Sequence, residues 1–314
     1  MSRISIIIPV FNAAKYLDRC LVSIIKSLGN TSGEVLLIDN DSSDDSLAVM
    51  RKIAKRHPDL IKVLQCHTPG AAAVKNFGVD HASGKYIWFI DADDRISRDA
   101  ISKLLTKADQ TGSDLVMMGA ERVHGDDSTS DGHKKLLSPV LPSEPNYKSR
   151  FVRYGMGPWQ LLIRRKWWNE HRFRFREGHI HEDMELMSAL ILYTDKYEAI
   201  DETLYYYFQN PDSVLHKTEF NPNIFDIFPA LDGLYGRFKE AGAEKKYHDE
   251  LEWFFIWNLL LDSANDFAQF PEGRDGFRKS REMLSQYFPN WRKNRFLREK
   301  PLKLRIKVRL NYKR

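Results

Sequence analysis

Five short apolar runs, at residues 4–10, 34–39, 62–66, 86–90 and 114–123, alternate with amphipathic stretches in the first part of this 314-residue chain. Each run has strand length and is rich in β-branched or aromatic residues. After the first run, Leu17, Cys20, Leu21, Ile24, Ile25 and Leu28 recur at spacings of three and four, which is one face of a helix that Asn12 can cap and Gly29 can stop. Ser43 or Asp44 can cap a second helix running to Arg56 and ended by His57-Pro58. Gly70 opens a small-residue helix to about His81, and Ser97 can cap another to about Gln110. Strand and helix in this alternation predict an α/β fold, a Rossmann-type, mostly parallel sheet with helices on both faces.

Strands that share a direction also share an edge. Three of the predicted strands end in polar residues that a strand tip does not need: Pro9-Val10-Phe11-Asn12, Asp39-Asn40-Asp41-Ser42-Ser43-Asp44, and Asp91-Ala92-Asp93-Asp94. The carboxyl edge of a parallel sheet is where ligands bind. There the three tips would gather an aromatic ring, an acid suited to a base or ribose, and an acid cluster suited to Mg²⁺ or Mn²⁺, which take oxygen ligands and bridge carboxylate to phosphate. Taken singly, Asp44 also reads as a helix cap, and the acid triplet as a solvated turn.

Composition supplies the bounds. A chain of 314 residues with 42% hydrophobic residues can bury one large core or two modest ones. Cys20 and Cys66 lie in apolar segments and read as buried, reduced thiols, which fits a cytoplasmic address. The run at residues 4–10 is too short for a signal-peptide core, and no stretch is long enough to span a bilayer. The formal charge of +5 is uneven: residues 291–314 carry eleven Lys and Arg against Glu299 alone, so residues 1–290 are net acidic.

At this point the sequence resembles the family-2 glycosyltransferases of the GT-A fold, of the bacterial surface-polysaccharide type. The resemblance runs through Ser5-Ile6-Ile7-Ile8-Pro9-Val10-Phe11-Asn12, Leu37-Ile38-Asp39-Asn40-Asp41-Ser42-Ser43-Asp44-Asp45-Ser46, Gly70 with Lys75-Asn76-Phe77-Gly78, and Ala82-Ser83-Gly84-Lys85-Tyr86 leading into Asp91-Ala92-Asp93-Asp94. It implies that Pro9 and Phe11 wall a nucleobase pocket and that Asp39 reads the base, usually uracil. It places Asp91 and Ala92 by the ribose and makes Asp93 the principal ligand of Mg²⁺ or Mn²⁺. Lys75 stands where the family usually has Arg, keeping the charge for a diphosphate or carboxylate but losing the bidentate fork. Asn40 and Asp41 replace the more usual Asp and Gly, and Asp41 suits a tight turn if φ is positive there.

On the acceptor side, His181-Glu182-Asp183-Met184 opens a predicted helix whose inner face includes Met187, Leu190 and Ile191. It is similar to the family's Glu-Asp motif, in which the Asp is the general base, so Asp183 with Glu182 is the catalytic candidate; good first-turn acids are the structural alternative. The segment from Phe208 to His216 resembles the one that follows the family's aromatic strand, and makes His216 a candidate at the metal or diphosphate. The resemblance implies an inverting, metal-dependent transfer of one sugar from a nucleotide-sugar, UDP-linked, to a hydroxyl of a glycan or lipid-linked oligosaccharide. No Gln-x-x-Arg-Trp motif of processive synthases is present. The alternatives are a sugar-phosphate nucleotidyltransferase and a non-catalytic nucleotide-sugar-binding protein. The first lacks a Gly-rich basic loop after Val10, and the second is at odds with the presence of Asp91, Asp93 and Asp183.

The expected organisation is a GT-A domain over residues 1–215, with a nucleotide-binding half at 1–123 and an acceptor-side half at 146–215. A helical C-terminal region follows at 216–290, then a basic tail at 291–314. Residues 124–145 read as a loop. In the tail, Leu302, Leu304, Ile306, Val308 and Leu310 alternate with Lys303, Arg305, Lys307 and Arg309. A period of two reads as an edge strand rather than an interfacial helix. Such a segment can also lie on an anionic membrane surface, which would hold the protein peripherally at the inner face of the membrane. A nucleic-acid partner is not expected.

Overall fold

The computed structural model describes residues 2–123, 134–209 and 220–314. His216, the candidate from the segment after the aromatic strand, lies outside the described residues. In chain order the strands are β1 (Ile4–Val10), β2 (Gly33–Asp39), β3 (Ile61–Gln65), β4 (Tyr86–Phe89), β5 (Arg95–Ile96), β6 (Leu115–Val123), β7 (Lys134–Leu137), β8 (Leu161–Arg164) and β9 (Tyr197–Phe208). They form one sheet in the order β3-β2-β1-β4-β8-β6-β9-β5, with β7 beside β6. The α-helices are α1 (Ala14–Leu28), α2 (Ser46–Ala54), α3 (Ala71–His81), α4 (Ala100–Thr111), α5 (Tyr147–Tyr154), α6 (Arg165–Glu170), α7 (Glu182–Leu186), α8 (Ile227–Glu240), α9 (His248–Trp257), α10 (Ser263–Gln269), α11 (Asp275–Tyr287), α12 (Arg295–Arg298) and α13 (Leu302–Lys313).

The chain divides into two compact units. The first holds residues 1–145, 157–178 and 194–213; the second holds 146–156, 179–193 and 214–314. In the first unit β3, β2, β1 and β4 run parallel, in register Val10↔Asp39, Asp39↔Gln65 and Ile7↔Phe89. The expected parallel half is therefore present. Beyond it the sheet is mixed: β8 runs antiparallel to β4 and to β6, whereas β6 and β9 are parallel. Sequence order reverses between β1 and β4, the switch point at which such sheets open a crevice.

Alternate residues of the strands face opposite layers. Ile4, Ile6, Ile8, Val35, Leu37, Trp88 and Val116 pack with the apolar faces of α1, α2 and α4. On the other face α3 comes so close that a Cβ on Gly78 would stand 2.4 Å from Ile7 Cγ2 and 2.9 Å from Ile38 Cδ1. Phe89 meets Trp168 and Phe175 there. Both cysteines are buried and free.

The second unit is helical. Asn294 binds it locally, donating to Asp249 O and Glu252 Oε2 and capping α12 through the Leu297 N–H. Arg295 pairs with the buried Glu250 at 2.7 Å. Arg237 of α8 donates to Glu185 of α7 at 3.0 Å, and Gly233 leaves room for that carboxylate.

Three expectations are corrected. The region read as a loop at 124–145 contains β7, paired antiparallel with β6. Asn12 does not cap α1: its Oδ1 accepts from Ser43 and Asp44 N–H across to the next loop, and N–H groups at the start of α1 are taken by Asp44 and Ser46 instead. The tail is not an edge strand; residues 302–313 are the helix α13. No helix among the described residues is long and apolar enough to cross a membrane.

Candidate active site

The site grows from three loops on the carboxyl edge of the parallel strands. The loops after β1 and β2 are knitted together by exchanged caps. Asp44 Oδ2 accepts from Ala14 N–H at 3.1 Å and its Oδ1 from Ser46 N–H at 2.9 Å, while Ser46 Oγ accepts from Ala13 N–H at 2.8 Å. Burial opposes the charge on Asp44, but these hydrogen bonds outweigh it and hold the carboxyl below its usual range. In return Asn12, at φ 49°, accepts from the Ser43–Asp44 backbone. Asn12 and, at φ 56°, Asp41 both lie in the left-handed region.

Pro9 lies half-buried next to last in β1, Val10 closes the strand in the core, and Phe11 stands 56% exposed beyond it, a large ring not covered by the unit's own core. Asp39 is buried at the end of β2 and accepts from Ser42 N–H at 3.3 Å. Asn40 organises the third side. Its Nδ2 donates to Cys66 O (2.7 Å) and Thr68 O (2.9 Å), its Oδ1 accepts from Gly70 N–H (2.9 Å), and its own N–H donates to Val10 O (2.9 Å). Asn40 thus ties the end of β1, through its backbone N–H, and the chain after β3 and the start of α3, through its side-chain amide, to the end of β2. Lys75, on α3, is buried with its Nζ 5.4 Å from the centre of the Phe175 ring.

The acid loop after β4 sorts its three carboxylates. Asp94 is wholly buried: its Oδ2 accepts from Tyr205 Oη at 2.5 Å and its Oδ1 from Phe208 N–H at 2.7 Å, which fastens the end of β9 to the loop. Asp91 N–H donates to the same tyrosine oxygen. The backbone carbonyls of Asp91 and Asp93 turn inward, accepting from Cys20 Sγ and Arg19 Nη2 of α1. Asp91 and Asp93 themselves are half-buried, with Ala92 buried between them. Their negative charge bears on the buried groups around the loop. Burial first, then Asp91 and Asp93, pushes Asp94 well up. Burial, then Asp94, Asp93 and Asp91, raises the Cys20 thiol. Burial with the same acids lifts Tyr207 to about 12. A loop that strains this far toward accepting positive charge, with oxygen donors at its rim, fits a hard divalent cation.

The structure therefore brings Pro9, Phe11, Asp39, Asp91, Ala92 and Asp93 of the expected set to one sheet edge, with Val10 and Asp39 in register. Glu182 and Asp183 belong to the second unit. There they open α7 behind His181, which takes φ 66° and accepts from Met184 N–H. Both are half-buried, while Met187, Leu190 and Ile191 are fully enclosed. Sequence reasoning missed Arg19, Asn40 as a tie, and Tyr205. Arg19 stacks on Phe208, 4.1 Å from the ring centre, and steadies Asp93 from outside any motif. The Asn-for-Asp departure at position 40 was the one signal available in sequence.

A family model for glycosyl transferase family 2 matches residues 5–174, which hold the whole parallel half and the acid loop. The uncharacterized glycosyltransferase EpsJ of Bacillus subtilis is 25% identical over 90% of this chain and 83% of its own length. Among solved structures, S. aureus TarS 1-349 in complex with UDP-GlcNAc superposes with a TM-score of 0.78 at 19% identity, covering 99% of this chain and 89% of that one. The mannosyltransferase PcManGT of Pyrobaculum calidifontis, in complex with GDP-Man and Mn²⁺, gives 0.53 at 15% identity, covering 99% and 86%. These structural likenesses establish the GT-A architecture.

Proposed function

The chain belongs to glycosyl transferase family 2, and on that premise we propose that it moves one sugar from a UDP-linked donor to a hydroxyl of a glycan or lipid-linked oligosaccharide, with inversion at the anomeric carbon. The observation that carries the donor half is the shared edge: Val10 and Asp39 lie in register, and the half-buried Asp91 and Asp93 follow the neighbouring strand on the same side. Phe11 offers a ring face to the base and Asp39 a carboxylate to its N–H, beside Pro9; Asp91 and Ala92 line the ribose. Lys75 adds positive charge toward the diphosphate. Asp93 would hold Mg²⁺ or Mn²⁺, which supplies charge neutralisation for the departing nucleotide. That TarS has been solved with UDP-GlcNAc and the mannosyltransferase with Mn²⁺ supports this choice of donor and cofactor.

Asp183, with Glu182 beside it, takes the proton of the attacking acceptor hydroxyl. A single displacement inverts the configuration and needs no enzyme nucleophile. The lack of the processive-synthase motif supports addition of a single residue. A lipid-linked acceptor would call the enzyme to the inner face of a membrane as a peripheral protein.

The test is a panel of nucleotide-sugars assayed for transfer and slow hydrolysis, with and without chelator. Metal-dependent turnover of a UDP-sugar is expected, and Asp93→Ala should lower kcat by roughly a hundredfold or more. Asp183→Asn should abolish transfer while leaving UDP affinity within about twofold, because a base acts on the acceptor and not on donor binding. Turnover indifferent to chelator and to Asp93→Ala overturns the donor assignment; wild-type turnover by Asp183→Asn overturns the base. Pyrophosphate release from UTP and a sugar phosphate would move the protein to nucleotidyl transfer.

A further inference from the structure

The period-two pattern of the tail acquires a different meaning once it is wound into α13. At 3.6 residues per turn, positions two apart point about 200° away from each other and positions four apart about 40°. Apolar residues at every second position therefore make two opposite apolar faces. One is used by the fold: Val308 is fully buried, Leu304 half-buried, and Asn311 Nδ2 donates to Leu260 O at 2.8 Å while Arg281 donates to Tyr312 O. The other faces solvent: Leu302, Ile306 and Leu310 are 66%, 46% and 58% exposed. The intervening bases fall on the flanks of this second stripe, Lys303 and Lys307 on one side and Arg305 and Arg309 on the other. Trp257, 43% exposed, directly precedes Asn258–Asp262, the segment whose Leu260 carbonyl Asn311 binds; its ring lies tilted 5.8 Å from that of Trp253, over which Lys300 lies.

We infer that the outer face of α13 is a membrane-docking surface for anionic lipid, with Leu302, Ile306 and Leu310 entering the acyl boundary and the flanking Lys and Arg reaching headgroup phosphates. Three aliphatic side chains in line on a helix rimmed by bases match the in-plane interfacial helix, in which long basic side chains keep their heads in the polar layer. The stretch 291–314, with eleven bases and one acid, is complementary to an anionic leaflet. A second copy of this face would set those bases against one another in an isologous contact. A nucleic-acid backbone would leave the aliphatic stripe unmatched, since phosphate contacts use the bases alone. The inference leans on the proposed lipid-linked acceptor only for its biological sense; lipid binding is read without turnover, so either can fail alone.

The experiment is vesicle flotation of the full chain, comparing phosphatidylcholine alone with phosphatidylcholine mixed with phosphatidylglycerol. Two variants accompany it: the triple Leu302→Ser, Ile306→Ser, Leu310→Ser, and the charge variant Lys303→Gln, Lys307→Gln, Arg309→Gln. All six positions are exposed, so both should fold, which circular dichroism and an unchanged melting temperature verify. The wild type should favour anionic vesicles by about tenfold or more, and each variant should lose about tenfold or more of that partitioning. Equal partitioning to both vesicle types, or a serine variant that floats like wild type, overturns the inference. So does a duplex oligonucleotide that displaces vesicles from the wild type while the serine variant binds it unchanged alongside undiminished flotation. A solution dimer that the serine variant dissolves also overturns it.

Discussion

Asn40 shows how one atom type decides a loop. Two carbonyls accept from its amide nitrogen while its oxygen accepts from Gly70 N–H. A carboxylate can serve the second role but not the first, since it has no proton to donate when ionised. Asn40→Asp, the residue the family more often carries, should therefore destabilise this protein by about 2–3 kcal/mol, read as a lower urea midpoint, because two carbonyls would face a negative charge. The neighbouring Asp41 behaves oppositely. Its φ of 56° suits glycine, and what it would give up is an exposed contact to His67. Asp41→Gly should change stability by less than about 1 kcal/mol in the same titration. The acid triplet was legible in sequence as a cluster, yet its division of labour was not. Only the packing of Tyr205 and Phe208 against Asp94 separates the structural acid from Asp91 and Asp93 at the rim.

Among elements, α3 depends on a missing side chain. Gly78 brings the helix onto Ile7 and Ile38, and α3 carries Lys75 and receives the Asn40 tie at its start. Gly78→Ala should cost about 1–3 kcal/mol through overpacking, since the neighbouring atoms belong to strands and cannot withdraw. Gly236 in α8 has open space around its Cβ position, so Gly236→Ala should be neutral or stabilising by up to about 1 kcal/mol. Melting both variants beside wild type tests the contrast. The helix caps show the limit of local reading. Asn12 stands where a cap belongs, but a side chain from thirty residues on reaches the N–H groups of α1 first. Local spacing identifies a helix; it does not say which side chain will be nearest its end. The tail failed for a related reason. Alternation is the pattern of a strand with one wet face, and also of a helix with two apolar faces, and nothing within residues 302–310 distinguishes them.

For the molecule as a whole, the opposite edge of the parallel sheet is tied by Glu34. Burial alone would raise its carboxyl, but Lys62 Nζ, the Ser5 and Ser83 hydroxyls and Ser83 N–H overcome this and hold its pKa at about 2. An unfolded glutamate binds its proton first as pH falls, so this stabilisation is present above about pH 4.5 and drains away toward about pH 2, up to about 2–3 kcal/mol in all. Glu34→Gln should be less stable than wild type near pH 7 and lose less of its stability on acidification, measured as urea midpoints across that range. An identical pH slope for the two would mean the tie contributes nothing.

Periodicity determined the parallel half of the sheet and the edge that gathers the polar strand tips, and the motifs there carried the resemblance to the family, because those depend on which residues recur within a few positions of one another. The tertiary structure decided which of several equivalent carboxylates or apolar stripes was spent on the fold, as with Asp94 inside and Leu302, Ile306 and Leu310 outside. Burial is a property of what packs on a residue, and for these residues the partner is either remote in sequence or not part of the chain's own core.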